Sequence, residues 1–259
     1  MCLVRVGRMA DGWKPHVLDV LGEILSPTRC VCCERPGALL CDRCAGELIR
    51  IDPATACTRC GAPFGDLLCT ECRGMPIALD HCLAATVFDG PPASMIRAFK
   101  DGGEMRLADV LADLLSEALL DAERSAAERF GHPLLCADVI TFVPATAEAF
   151  RRRGFDHMEM ICSRVSGRTG LPMADVLVKH GRSDQRGAGR EERARLSHGV
   201  YKVAGSVRGL RVLVLDDVIT TGATLNAVAA ALRDAGALRV DGAAVARVWG
   251  QDWPVHRLR

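Results

Sequence analysis

Two groups of residues in this 259-residue chain have types and spacings that could do chemistry. The first is cysteine. Eight of the thirteen cysteines form four Cys-x-x-Cys pairs: Cys30 with Cys33, Cys41 with Cys44, Cys57 with Cys60, and Cys69 with Cys72. Two thiolates three positions apart can grip one tetrahedral ion through a tight knuckle. A second knuckle, returned by a short hairpin, completes a four-thiolate shell. The second group is Asp216, Asp217, Thr220, Thr221, Gly222, Ala223 and Thr224, which follows the apolar run Val212–Leu215.

Seven residues separate the knuckles of the first cysteine unit and eight those of the second. Each unit can close its own site, giving a double zinc ribbon; interleaved pairing of the four knuckles meets the same spacing. Hairpin knuckles favour Zn²⁺ over an iron–sulfur cluster. The first fifteen residues lack the continuous apolar stretch of an export signal, so the expected location is the cytoplasm, where paired cysteines bind metal rather than form disulfides. No run approaches the roughly 18 apolar residues that cross a membrane. Cys2, Cys32, Cys82, Cys136 and Cys162 remain, and buried free thiols are expected for them.

The aspartate–threonine stretch reads as an anion site with a hydroxyl partner. Four apolar residues make a buried strand, and Asp216 and Asp217 stand at its carboxyl end, where open α/β sheets bind ligands. Gly222 lets the backbone approach an anion. The helix that follows offers unpaired N–H groups and a favourable dipole, and the Thr220, Thr221 and Thr224 hydroxyls add donors. Two acids beside an anion cradle repel the anion unless the ligand brings hydroxyls or a cation. A ribose 5-phosphate supplies a diol for the acids and a phosphate for the loop. A Walker B strand looks similar, but the chain has no G-x-x-x-x-G-K-[ST].

Composition narrows the partners. The net charge is +1 and 4% of residues are aromatic, which excludes a surface-wide nucleic-acid coat and a single-strand binder built on stacking platforms. Charge is nevertheless local. Residues 151–195 hold eleven basic and six acidic side chains, a balance of +5. Arg151, Arg152 and Arg153 head this segment and are the candidate nucleic-acid contacts, through phosphates. The histidines are scattered, and none is assigned a role.

The elements that must position these groups alternate. Residues 16–25 predict a short amphipathic helix. Strands are predicted over 83–88, 139–143, 212–215 and 243–248. Helices are predicted over 92–101, 107–129, 158–170 and 225–235, the second with Leu107, Leu111, Leu114, Leu115 and Leu119 inward. Residues 179–198 read as a long charged loop. This alternation predicts a mainly parallel sheet covered on both faces. The expected organisation is an N-terminal helix in 1–29, a cysteine module in 30–78 and an α/β domain in 79–259.

Residues 212–224 resemble the phosphoribosyl-pyrophosphate motif of the type I phosphoribosyltransferases. Val143-Pro144 resembles the pyrophosphate-loop region of that fold. Arg153-Gly-Phe155, Phe99-Lys-Asp-Gly-Gly103, Gln185, Arg193, Gly199-Val-Tyr201 and the double cysteine unit together resemble the competence protein ComF family. Asp156-His157 stands where that family has an Asn-Gln pair.

The resemblance implies a type I phosphoribosyltransferase fold behind a double zinc ribbon, with two structural Zn²⁺ ions and Mg²⁺ arriving with phosphoribosyl pyrophosphate. It also implies a role in natural transformation: handling imported single-stranded DNA in the cytoplasm beside the competence DNA-import helicase. Two other readings are compatible with the residues. One is a true phosphoribosyltransferase moving ribose 5-phosphate to a base or amine. The other is a non-catalytic scaffold that senses a sugar phosphate.

Overall fold

The alternating pattern resolves into a layered α/β unit with the cysteine segment laid along one edge. The computed structural model describes residues 27–63, 68–74, 77–125, 127–179 and 200–249. In chain order the elements are α1 (Asp42–Ala45), β1 (Cys82–Val87), α2 (Gly90–Lys100), α3 (Leu107–Ser125), α4 (Ala127–Phe130), β2 (Val139–Phe142), α5 (Ala147–Arg153), α6 (His157–Thr169), β3 (Leu177–Lys179), β4 (Tyr201–Val203), β5 (Arg211–Ile219), α7 (Ala223–Asp234) and β6 (Arg239–Arg247). The main sheet has the order β1-β6-β5-β2 with every pair parallel, and β3 and β4 form a separate antiparallel pair. The helix predicted over 16–25 and the loop residues 180–199, with Gln185, Arg193 and Gly199, lie outside the described residues.

Strand alternation builds two cores. In β5, Leu213 and Leu215 face a core shared with α2, α3 and α6, while Val212 and Val214 face one shared with α7 and the β3–β4 pair. The five predicted leucines of α3 are all buried in the first core. Each contributes about 1.5–3 kcal/mol by leaving water. Burial of both faces explains why these strands read as unbroken apolar runs.

Several boundaries differ from the sequence reading. The helix predicted over 107–129 divides into α3 and α4. Strand β5 runs nine residues, not four, because β6 continues to pair with it from Asp216↔Ala244 through Ile219↔Arg247. Its other neighbour, β2, stops at Phe142↔Leu215. From Asp216 onward, β5 therefore has no strand partner on its β2 side among the described residues. Helix α5 and the β3–β4 pair were not predicted.

The cysteine segment attaches through backbone. Ile51 N–H donates to the Ala85 carbonyl at 3.0 Å and Val87 N–H to Ile49 at 2.9 Å, so residues 49–51 run antiparallel along the outer edge of β1. Cys82 N–H donates to Thr58 at 2.7 Å. Gly61 sits at φ +68°, and a Cβ there would lie 2.6 Å from the Ala84 nitrogen. Only glycine fits both that conformation and that approach. Arg129 of α4 completes the seam, donating to the carbonyls of Pro53, Ala54 and Ala56.

Candidate functional site

The metal positions come from four short turns. The ligand atoms of Cys30, Cys33, Cys41 and Cys44 all lie within 4.8 Å of one another, as do those of Cys57, Cys60, Cys69 and Cys72. The clusters thus follow chain order, and the interleaved grouping is excluded. Four sulfurs each 2.3 Å from a central ion stand about 3.8 Å apart. The Cys33–Cys41 separation is 3.6 Å and the Cys60–Cys69 separation 3.7 Å. Four thiolates this close cannot all ionise without a cation among them, and both clusters suit a structural zinc ion. Among the leftover cysteines, Cys82 and Cys162 are buried, while Cys32 and Cys136 are half-buried. Burial pushes the Cys32 thiol up to about 11 and the Cys162 thiol up to about 12, which favours the neutral thiol in both. Cys2 lies outside the described residues.

The acid pair lies where β5 outruns β2. Asp216 and Asp217 are 8% and 6% exposed. Neighbours in a strand point to opposite faces, so the two acids meet different surroundings. Asp217 turns toward α2 and α6. Its Oδ2 lies 2.5 Å from Lys100 Nζ and 3.1 Å from His157 Nε2. Burial opposes its charge, but the His157 hydrogen bond and the Lys100 ammonium outweigh burial and hold the carboxyl well below the usual carboxylate range. Asp216 turns toward the β3–β4 pair, where Lys179 and Tyr201 are its electrostatic neighbours. Burial, then the charge on Asp217, push the Asp216 carboxyl well above the ordinary range. The Asp217 N–H, Lys100 and Lys179 offset this only in part. One acid is thus held as a carboxylate, while the other is favoured as the neutral acid.

The threonine loop follows directly. Gly222 caps α7 at φ +77°, with nothing within 4 Å of where a Cβ would stand. Glycine is therefore suited to the conformation, and the space beside it is open. Thr220, Thr221 and Thr224 are exposed, with Gly222 and Ala223 half-exposed between them. The Thr221 hydroxyl accepts from Ala223 N–H at 3.4 Å. Arg247, buried at the end of β6, donates to the carbonyls of Thr220 and Val248 and anchors the start of the loop. Its other terminal nitrogen lies 3.5 Å from Glu71, beside Cys72.

The three candidate arginines separate. Arg151 and Arg152 are exposed at the end of α5. The Arg153 side chain is only 10% exposed and lies 3.2 Å from His157 Nδ1. Arg152 and Arg153 both approach Asp101, at 3.7 and 3.6 Å. Arg153 thus belongs to the chain Arg153–His157–Asp217–Lys100 rather than to the outer surface. Asp156 braces that chain: it caps α6 through Met158 N–H at 2.9 Å and takes Ala145 N–H at 2.7 Å, just beyond Val143-Pro144.

Sequence reasoning assigned no histidine, yet His157 is a member of the site. The available signal was its place in Asp156-His157, next to Arg153-Gly-Phe155. Lys100 likewise stood inside Phe99-Lys-Asp-Gly-Gly103 without a role.

The Phosphoribosyl transferase domain family matches residues 150–251. Together with the parallel sheet and the loop between β5 and α7, this makes the chain a protein of the type I phosphoribosyltransferase fold preceded by two four-cysteine clusters. Its relatives are narrower in kind. The DNA utilization protein YhgH of Salmonella typhi is 28% identical over 231 residues, covering 86% of this chain and 96% of its own. Competence protein F of Haemophilus influenzae is 29% identical over 62% of this chain and 67% of its own. Competence protein ComFC of Streptococcus pneumoniae is 26% identical over 54% and 56%. The resemblance to the ComF family read from the sequence therefore holds. Among solved structures, an allosteric regulatory enzyme of purine biosynthesis aligns over 53% of this chain and 26% of its own, at 26% identity and a TM-score of 0.33. Among the described residues, no helix is long and apolar enough to cross a membrane.

Proposed function

We propose that this chain binds phosphoribosyl pyrophosphate or a related sugar phosphate at the β5–α7 turn, and that it acts in DNA uptake by handling imported single-stranded DNA in the cytoplasm. The observation that carries the sugar-phosphate reading is the pairing of Asp217 with Lys100 and His157 at the foot of the threonine loop. Lys100 and His157 already balance Asp217, so an anion entering beside it meets less repulsion than two free carboxylates would present. The phosphate rests on the α7 N-terminus and the threonine hydroxyls. The acids take the ribose hydroxyls, Asp217 as acceptor. Mg²⁺ arrives on the pyrophosphate and neutralises it. The two acids face apart, which suits a ligand-borne ion better than a dedicated protein cage.

The DNA role rests on the names of the relatives, one of which aligns over nearly its whole length. Arg151 and Arg152 supply exposed cations for a phosphate backbone. The competence DNA-import helicase is the protein partner this role requires. A second reading, transfer of ribose 5-phosphate to a base or amine, is favoured by the domain match over residues 150–251.

Calorimetry with phosphoribosyl pyrophosphate and Mg²⁺ tests the site. Binding weakens when Asp216→Asn and Asp217→Asn are combined, in protein that still folds. Equal affinity in wild type and double variant would make the motif purely structural. A pyrophosphate-release screen against nucleobases and amines, run on the same sample as a single-strand DNA binding assay, separates transfer from DNA handling.

A further inference from the structure

A second charged cluster lies at the opposite end of the sheet. Asp241, the third residue of β6, is 1% exposed, a carboxylate buried inside a parallel sheet. Its register partner on β5 is Leu213. At about 3.3 Å per residue, that places it about 10 Å down the strand from Asp216. Two histidines converge on it. His81 immediately precedes β1, next to the Cys82↔Gly242 pair. His132 follows α4. Their ring centroids are 4.8 Å apart, and His81 also packs edge-on against Phe130 at 5.5 Å.

The two histidine–carboxylate distances are close to those of ligands around an ion. His132 Nε2 lies 3.2 Å from Asp241 Oδ1, His81 Nδ1 lies 3.6 Å from the same oxygen, and one ligand atom from each residue falls within 4.8 Å of the others. For nitrogen and oxygen donors at 2.0–2.1 Å, neighbouring ligands of a tetrahedral ion stand about 3.3–3.4 Å apart. A direct His132–Asp241 hydrogen bond accounts for one of these contacts but not for His81. A separation of 3.6 Å is too long for a hydrogen bond, and His81 Nδ1 is buried with no hydrogen-bond partner. Arg239 Nε approaches the other oxygen, Oδ2, at 2.9 Å, and His132 Nε2 is 3.0 Å from it. Arg239 therefore balances and orients the carboxylate from behind, as outer partners of metal ligands do. His132 spans both oxygens, and Oδ1 is the one that His81 also approaches.

We propose that His81, His132 and Asp241 form a third metal site, which binds one divalent transition-metal ion through two imidazoles and a carboxylate. The donor set suits zinc and its borderline neighbours rather than magnesium or calcium. Three protein ligands leave one position for water, and both histidines are partly exposed, so an ion and a solvent molecule can reach the site. The ion ties the start of β1 and the α4–β2 connection to β6, and it satisfies the buried Nδ1 of His81.

The test uses the full-length chain with both four-cysteine clusters already filled with zinc, titrated with Co²⁺. The expected result is one further equivalent of bound cobalt, with d–d absorption of nitrogen and oxygen ligation and no thiolate-to-cobalt charge-transfer band. His132→Asn, and separately His81→Asn, lose both the bound equivalent and the absorption while retaining the two cysteine-bound zinc ions. Three results would overturn the proposal. These are no cobalt absorption in the zinc-loaded wild type, absorption carrying only the thiolate band, which marks exchange into the cysteine clusters, or unchanged binding in both histidine variants.

Discussion

Replacing Gly61 by alanine isolates the seating of the second cysteine cluster on the sheet. Two penalties act at this position. The backbone is at φ +68°, where a Cβ costs about 1–2 kcal/mol. The added carbon would also stand 2.6 Å from the Ala84 nitrogen and 2.8 Å from the Leu83 carbonyl carbon, both backbone atoms of β1 that no rotamer change can move. Overpacking of this kind costs about 1–3 kcal/mol. Gly131 is the matched control: it has the same φ of +68°, with nothing within 4 Å of its Cβ position. Gly131→Ala should therefore cost about 1–2 kcal/mol and Gly61→Ala about 2–5 kcal/mol. At about 2–4 °C per kcal/mol for a protein of this size, Gly61→Ala should melt several degrees below Gly131→Ala in parallel thermal scans. Gly61→Ala should also release zinc to a chelator faster. Coincident melting of the two variants would refute the close approach of Gly61 to β1.

Removing one ligand, as in Cys72→Ser, should lower the zinc content of the purified chain by one ion. It should also lower stability strongly, since structural zinc contributes on the order of 10 kcal/mol to small modules; elemental analysis showing unchanged zinc would count against the cluster. Asp217 has a depressed folded-state pKa, so its contribution is present above the unfolded value near 3.9 and is lost as pH falls through the folded value. Asp217→Asn should therefore destabilise near neutral pH, with the gap to wild type closing in acid. Asp216 is raised, so its penalty grows as pH rises from about 4. Asp216→Asn should melt higher than wild type near neutral pH even as it weakens sugar-phosphate binding, and equal melting across pH would refute the assignment. If single-stranded DNA lies along α5, Arg151→Ala and Arg152→Ala should each lower the slope of log K against log salt by about 0.7. Arg153→Ala should leave that slope unchanged and disturb the Asp217 site instead; the reverse pattern in a salt titration would overturn this placement.

The sheet and the loop were legible because their signals are local. Apolar runs buried on both faces cannot hide, and Gly222 between threonines marks a turn onto a helix. The four cysteine pairs were equally plain, although only the fold distinguishes sequential from interleaved ligation. The full length of β6 was obscured by Asp241 and Gly242, which look unlike strand residues and are accommodated by buried partners. The opposite orientation of Asp216 and Asp217 follows from strand periodicity once β5 is seen to continue to Ile219; a four-residue strand hid it. Lys100 and His157 reach Asp217 from two separate helices, a convergence that depends on how α2 and α6 cross the sheet and leaves no mark in spacing. Their neighbouring Phe-Lys-Asp-Gly-Gly and Arg-Gly-Phe landmarks pointed to the right segments without saying that they meet.

The antiparallel run of residues 49–51 beside β1 gives the cysteine segment a protective task apart from metal binding. A bare strand edge offers a row of unpaired backbone groups on which another chain can grow, and proteins avoid leaving one long and apolar. Here Ile49 and Ile51 close that row through Val87 and Ala85, and Thr58 closes it at Cys82. A chain shortened to begin at β1 would expose the sequence Cys-Leu-Ala-Ala-Thr-Val as a sticky margin. Its characteristic failure would be self-association rather than simple loss of a binding site. Depletion of zinc in the intact chain would loosen the same guard, so metal shortage would appear first as precipitation.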